Sequence, residues 1–269
     1  MKLKIICILG LFIIALFMYN YIQISQIFIS RPTFYNKKLS KPLRITQVSD
    51  YHSNSYINVK KLLNEIIRFN PHIIVLTGDI IDSKTEDINL TLSLMNKLTD
   101  INPNTFFVIG NHELGNKNGD KFISSLKEMG VVVLDNDRET IDIEGEKINI
   151  CGLSFFATNK DYEQTMEGID ESKFTLLLSH SPNRPIDYSK GKEDLILSGH
   201  THGGQVRFPL IGAIVSPGQG LFPKYDKGIF NINDTLLYID SGLGNSILPL
   251  RLFNRVQISN ITIEISEDN

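Results

Sequence analysis

Three β-prone runs in the first half of the chain, residues 43–49 (alternating) and 73–77 and 105–109 (apolar), each stop at a turn that carries potential metal ligands. The first run delivers Asp50-Tyr51-His52, the second Gly78-Asp79 with Asp82 three residues on, and the third Gly110-Asn111-His112-Glu113. Between them, residues 57–69 and 88–99 repeat apolar positions with helical spacing. The runs at 73–77 and 105–109 are continuously apolar, which suits strands buried on both faces. A β-α-β-α-β order implies a parallel segment covered by helices, with its site beyond the carboxyl ends of the strands. The pattern therefore predicts an α/β fold.

The second half is richer in short β-prone runs, at residues 131–134, 140–144, 147–153, 174–179, 194–198, 229–232, 236–240 and 256–265. The run at 174–179 ends at His180, and that at 194–198 leads into Gly199-His200-Thr201-His202-Gly203-Gly204-Gln205. Five of the six histidines thus fall in strand-end motifs, and His72, at a strand entrance, reads as a surface or capping residue. Singly, each motif has a bland explanation: Asp-x-His as coincidence, Gly-Asp as an ordinary turn, His180 as a satisfied core residue. The ordered set is harder to dismiss, because Asp, Asn and His together suit borderline metal ions. Asp50 and His52, two apart, face the same way on an extended chain. A carboxylate has two oxygens, so Asp79 can bridge two cations.

These motifs, in this order, resemble those of the calcineurin-like metallophosphoesterases over about residues 43–265. The Gly199–Gln205 stretch is similar to a bacterial branch that is often anchored or exported by an N-terminal apolar segment. The resemblance implies a four-layer sandwich of two mixed β-sheets flanked by helices. It implies two divalent ions (Mn2+, Fe2+ or Zn2+), one held by Asp50, His52, Asp79 and His202 and the other by Asp79, Asn111, His180 and His200. The chemistry implied is attack on phosphorus by a water that both ions share and deprotonate. His112, not needed as a ligand, is assigned general acid. Asp82 resembles the family carboxylate that orients this histidine and favours its protonated form, and Glu113 reads as supporting structure. The expected substrate is a phosphodiester or pyrophosphate, with a lipid-linked or cell-envelope ester as one class. Gly199, Gly203 and Gly204 are expected to leave the metal face clear for a phosphate with two substituents. The alternatives are a phosphomonoesterase and a non-catalytic metal-binding membrane scaffold; a full set of competent residues argues against the scaffold.

The N-terminus sets the other constraint. Residues 5–19 are apolar apart from a tyrosine tip, and the tendency continues to residue 28. Spanning a bilayer takes about 20 mostly apolar residues, so the extended run suffices. A cleaved signal is the rival, but residues 20–32 offer no small-x-small site. The expected organisation is a membrane anchor at 1–29, a linker at 30–42 and a catalytic domain at 43–269. Flanking Lys and Arg favour a domain kept inside, whereas the basic start resembles an export signal and favours an extracytoplasmic one. Both orientations stay open, as does oligomeric state. The net charge of -3 supplies no general attraction for nucleic acid, and none is expected as a partner. Cys7 and Cys151 lie in contexts too different for a disulfide. The apolar and basic segment 208–228 reads either as a packed hairpin or as an amphipathic lip beside the site.

Overall fold

A computed structural model describes residues 2–245 and 248–266. Helix α1 (Lys2–Ser25) leads into β1 (Phe28–Ser30), β2 (Thr33–Asn36) and β3 (Leu43–Val48). There follow α2 (Val59–Phe69), β4 (Ile73–Leu76), α3 (Asn89–Ile101), β5 (Thr105–Phe107), α4 (Asn111–Gly115), α5 (Gly119–Glu128) and β6 (Val132–Val133). The second half opens with the hairpin β7 (Asp137–Ile143) and β8 (Glu146–Leu153), then α6 (Asn159–Thr165), β9 (Phe174–Ser179), α7 (Asn183–Tyr188) and β10 (Leu195–Ser198). Two small hairpins, β11 (Arg207–Phe208) with β12 (Gly212–Ala213) and β13 (Val215–Ser216) with β14 (Gly220–Leu221), precede β15 (Gly228–Ile232), β16 (Thr235–Ile239) and β17 (Gln257–Ile265).

Two sheets carry the architecture. The first runs β1-β17-β3-β4-β5-β6, with β2 also paired to β17, and the second runs β15-β16-β10-β9-β8-β7. Each contains a parallel block, β3 to β6 in one and β8-β9-β10-β16 in the other. The period-two alternation of a strand decides which layer each side chain enters. On β4, Ile73 and Val75 pack between the sheets against Ile150, Leu176 and Leu197. Ile74 and Leu76 point the other way, to Leu62 and Ile66 of α2 and Leu94 and Leu98 of α3. On the far side, Leu177 and Ile196 meet Tyr162 and Met166 around α6. Helices, sheet, sheet, helices: the four-layer α/β sandwich is present.

Local chemistry explains the covering helices. In α2, Asn58 caps the start by accepting from the Lys61 N–H (2.9 Å), and Asn70 ends the helix in a left-handed conformation (φ 50°). Its Leu62 and Ile66 are fully buried, worth ~1.5–3 kcal/mol each relative to exposure.

The N-terminal segment departs from the expected tether. Residues 5–18 of α1 are exposed and apolar, and α1 is long and apolar enough to cross a membrane, with a mean hydropathy of 2.4 in its most apolar window. Its last turn is different: Gln23, Ile24 and Ser25 are buried, and Ile27 joins the core beneath the first sheet. Residues 30–42 do not form a free linker, because β1 and β2 both pair in parallel with β17 and bury Phe34 and Leu39. The physical reason is that β17 otherwise has an unpaired edge, and a short strand on either half of it satisfies those backbone groups.

Candidate metal centre

The two parallel blocks end at one shared rim, which places the strand-end motifs opposite each other. Asp50 and His52 follow β3, Asp79 follows β4, Asn111 starts α4 after β5, His180 follows β9, and His200 and His202 follow β10. Three overlapping groups could hold a metal ion: Asp50, His52 and His202; His52, Asp79 and His112; and Asp79, His180 and His200. Within each, the donor atoms lie within 4.8 Å of one another. Asp79 Oδ2 is central, 3.0 Å from His180 Nε2, 3.8 Å from His52 Nε2 and 3.9 Å from His112 Nε2. His202 Nε2 stands 3.5 Å from Asp50 Oδ1, and His200 Nδ1 stands 3.1 Å from His180 Nε2.

The backbone bends to achieve this. Asp50, His52, Asp79, His200 and His202 all have positive φ, between 48° and 67°. Side chains avoid that region at a cost of ~1–2 kcal/mol each, so each of these five residues carries strain. Hydrogen bonds from Asp50 N–H to Gly78 C=O and from His52 N–H to Asp79 C=O, both 3.0 Å, hold the first two turns together beyond the strand ends. Gly78 (φ +81°) lies so close to His180 that a Cβ there would sit 2.6 Å from its Nδ1.

Three buried polar atoms at the rim, His52 Nε2, Asn111 Oδ1 and His202 Nδ1, have no hydrogen-bond partner among the described residues. Such atoms are costly unless something else satisfies them. The carboxylates of Asp50 and Asp79 are buried, and their ion-pair partners among the described residues are histidines alone. His180 Nδ1 donates to the Thr77 carbonyl (2.7 Å), which turns Nε2 toward Asp79. A buried set of carboxylate, amide oxygen and imidazole donors with unmet valence fits divalent cations.

The electrostatics agree. Burial pushes the Asp50 carboxyl up to about 6, helped by the charge of Asp79. Burial also works against charge on His180, yet Asp79 and Asp50 raise its pKa to about 10, a measure of how strongly the acids seek a positive neighbour. His200, lowered to about 3 by burial and then by His180, stays a neutral donor.

His112 and Asp82 stand differently from expectation. Asp82 Oδ2 is 3.3 Å from His52 Nδ1, which donates to it, and 3.2 Å from His112 Nδ1, so the carboxylate holds one ring and lies beside the other. The His52 hydrogen bond is the main reason that the Asp82 carboxyl falls to about 2. His112 Nδ1 meanwhile faces the Ser83 N–H at 3.0 Å and accepts from it. An Nδ1 that accepts leaves the proton on Nε2, the nitrogen that faces Asp79. Burial, first of all, lowers the His112 pKa, outweighing Asp79 and Asp82; the carboxylate does not make it a standing imidazolium.

Glu113 supports the site as its motif suggested, whereas other supporting residues were missed or misread from sequence. Glu113 accepts from four buried backbone N–H groups: Asp79 (2.9 Å), Ile80 (2.6 Å), Ile81 (3.1 Å) and Gly110 (2.9 Å). It fastens the second turn to the third. Gly199 and Gly204 do not clear the metal face; a Cβ at Gly199 would strike Ser49 and Asp50, and one at Gly204 would strike Ala213. They allow close packing of the histidine loop. A loop after β16 closes over Asp50, with N–H donations from Leu243 to the Ser49 carbonyl (2.9 Å) and from Gly244 to the Asp50 carbonyl (2.6 Å). Fully buried Arg251 donates to the carbonyls of Ser241 (2.7 Å) and Gly244 (2.6 Å), and Asn254 Nδ2 donates to the His202 carbonyl (2.7 Å). The sequence signal for that loop is its run of turn-forming residues, Ser241, Gly242, Gly244, Asn245 and Pro249.

An open cleft of about 300 Å³ meets the rim, lined by His52, His112, Asp82, Tyr56, Lys84 and Pro249 among others. His72, as expected, lies at the opposite end, with Nδ1 accepting from the Arg44 N–H (3.2 Å).

Fold and site together define a metal-dependent phosphoester hydrolase, and comparison with known proteins gives the family. Residues 43–204 match the calcineurin-like phosphoesterase family, to which the chain belongs. It is 32% identical over 232 residues to the metallophosphoesterase YkuE of Bacillus subtilis, covering 82% of this chain and 79% of that one. A transmembrane protein with metallophosphoesterase domain from Bos taurus is 26% identical over 82% of this chain and 53% of its own length. Among solved structures, a 5'-nucleotidase precursor from Thermus thermophilus shares the fold, with a TM-score of 0.52 at 16% identity over 76% of this chain and 49% of that one.

Proposed function

We propose that the chain is a membrane-anchored, two-metal phosphohydrolase that cleaves a phosphodiester or pyrophosphate, with a lipid-linked or cell-envelope ester as the substrate class. One cation is assigned to Asp50, His52, Asp79 and His202, the other to Asp79, Asn111, His180 and His200. The observation that carries this reading is the trio of buried, unpartnered donors His52 Nε2, Asn111 Oδ1 and His202 Nδ1 around two buried carboxylates. When bound, a pair of divalent cations supplies charge to phosphate oxygens and makes water acidic enough to attack. The donor set suits Mn2+, Fe2+ or Zn2+ without choosing among them.

The protein's own part is to orient and to move a proton. His112 Nε2 faces Asp79 and its ring borders the cleft; in its imidazolium form, with the second proton on Nδ1 toward Asp82 (3.2 Å), it is placed to give the Nε2 proton to a departing alkoxide and return to the neutral ring. Asp82 positions His52 as a ligand and lies beside His112. The cleft continues past the histidines to Tyr56 and Lys84, which leaves room for a second substituent on phosphorus and favours a diester over a monoester. The burial of Gln23, Ile24 and Ile27 supports an anchor that stays attached, since cleavage near residue 30 removes them from the domain.

The test is turnover of a diester, a pyrophosphate and a monoester by purified protein, each after chelation and add-back of single metals. Diester or pyrophosphate hydrolysis restored by a divalent ion is the expected result. Faster hydrolysis of simple monoesters reassigns the chain as a phosphatase, and metal uptake with no turnover of any ester reassigns it as a scaffold.

A further inference from the structure

Helix α1 does not hang from the domain by a tether; it is joined to the loop that borders the cleft. Asn20 Nδ2 donates to the Pro249 carbonyl, and its Oδ1 accepts from the Arg251 N–H, both at 2.9 Å. Tyr19 Oη accepts from the Phe253 N–H (3.1 Å), with the two rings edge-to-face at 5.9 Å. One turn further on, Gln23 Oε1 accepts from the Asn254 N–H (3.1 Å) and the Gln23 carbonyl from the Val256 N–H (2.9 Å). These contacts fix the direction in which the cleft faces relative to the helix axis.

The domain grips the helix before its apolar stretch ends. Residues 5–18 are uncharged and exposed, and Tyr21 and Ile22 remain exposed beyond the contacts at Tyr19 and Asn20. At ~1.5 Å per residue the stretch from 5 to 22 rises ~27 Å, close to a hydrocarbon core of ~30 Å. A span that runs to residue 22 places what contacts residues 19 and 20 at the depth of the bilayer boundary. What adjoins it is apolar and exposed: Leu248, Leu250 and Phe253 in the contacting loop, and Leu210 and Ile211 at the tip of the β11–β12 hairpin. This hairpin was weighed as a packed element, yet Leu210 is fully solvent-exposed. It is stitched to the same loop by Arg207 N–H to the Leu252 carbonyl (3.0 Å) and Gln205 Nε2 to the Leu248 carbonyl (3.1 Å). Tyr19 and Lys224 add the aromatic and basic groups that favour a headgroup region.

We infer that the 248–253 loop and the 207–213 hairpin form one surface that beds into the bilayer holding α1, and that the site takes its phosphoester from that leaflet. Pro249 and Asn245 line the cleft together with His52 and His112, so the cleft opens beside this surface. The substrate class is then an amphiphile whose phosphorus lies at headgroup depth. This rests on the reading of α1 as a retained span and of the cleft as a phosphohydrolase site.

The chain contains no tryptophan, so a single introduced one reports its own surroundings. The full chain carrying Leu210→Trp, Leu250→Trp or, as control, Ile67→Trp is reconstituted in phosphatidylcholine–phosphatidylglycerol vesicles brominated near the top of the acyl chains. Ile67 is exposed on the last turn of α2, at the strand-entrance end away from the site. Fluorescence at positions 210 and 250 is expected to be quenched at least about twofold more than at 67, because interfacial apolar faces bury ~5–10 Å into the boundary. Equal quenching at all three positions overturns the proposal. Quenching does not depend on turnover, so failure of the phosphohydrolase reading shows separately, as no hydrolysis of a soluble or an amphiphilic ester by the unsubstituted chain.

Discussion

Replacing Glu113 by glutamine changes one atom and tests what holds the centre together. Oε1 accepts from the N–H groups of Ile80 and Ile81, and Oε2 from those of Asp79 and Gly110. All four donors converge on a side chain that is 1% exposed, so no water can replace a lost acceptor. A glutamine can present its oxygen to only one pair. Whichever way the amide turns, its NH2 group faces two N–H donors, and two buried donors lose their acceptor. At ~1–3 kcal/mol for each buried donor left unsatisfied, the loss is ~2–6 kcal/mol. For a chain of this size, ~2–4 °C per kcal/mol turns that into a fall in Tm of ~4–24 °C. The damage is aimed: the turn that loses its clamp carries Asp79 and the one beside it carries Asn111. Thermal unfolding of the full chain in detergent, followed by circular dichroism, gives the first readout, and metal content of the purified variant gives the second. Both should fall. A Tm within ~2 °C of the parent with unchanged metal content would refute the clamp, since even one unsatisfied donor costs more than that.

Three further expectations are simpler. Asp79→Ala should remove bound metal and activity together, because the remaining donors cannot share a water between two ions; two ions per chain with normal turnover would count against the bridging assignment. His112→Asn should keep the metals but slow esters with poor leaving groups by ~10²–10⁴-fold, with a much smaller loss for a nitrophenyl ester. Equal losses on both esters would remove His112 from proton transfer. A chain beginning at Lys41 loses β1, β2 and the buried side chains of Ile24, Ile27, Phe34 and Leu39. At ~1.5–3 kcal/mol per side chain that is ~6–12 kcal/mol, comparable with a whole folding free energy of ~5–15 kcal/mol. Such a chain should not unfold cooperatively, whereas one beginning at Tyr19 should; matching midpoints for the two would show that the N-terminal strands are dispensable.

Much of this centre was legible in one dimension because each piece of it is local. A buried strand announces itself by a continuous apolar run, and parallel strands deliver their next residues to one edge, so Asp50, Asp79, Asn111, His180 and His200 could be placed at a common rim before any contact was known. The misreadings share the opposite property. Asp82 was paired with His112 through motif analogy and does lie 3.2 Å from its Nδ1, but its hydrogen bond to His52, which joins turns 30 residues apart, went unread. The stretch 30–42 looked like a tether because its polar, proline-bounded composition says nothing about β17, more than 200 residues on, whose edge away from β3 it helps to cover. Gly199 and Gly204 looked like open space because a sequence does not record which backbone presses against a missing Cβ.

From the chain order alone came the α/β class, the residue types at the strand ends that could hold a metal, and an N-terminal helix apolar enough to span a bilayer, all set by composition and periodicity over a few residues. Only the tertiary structure decided that α1 ends inside the domain, that Arg251 and Asn254 tie its contact loop to Asp50's cover and to the His202 carbonyl, and that Asp82 holds His52 while lying beside His112. Those are hydrogen bonds between groups separated by tens to hundreds of residues. No periodicity encodes them, since they form only once the sheets have brought the partners within 3 Å or so.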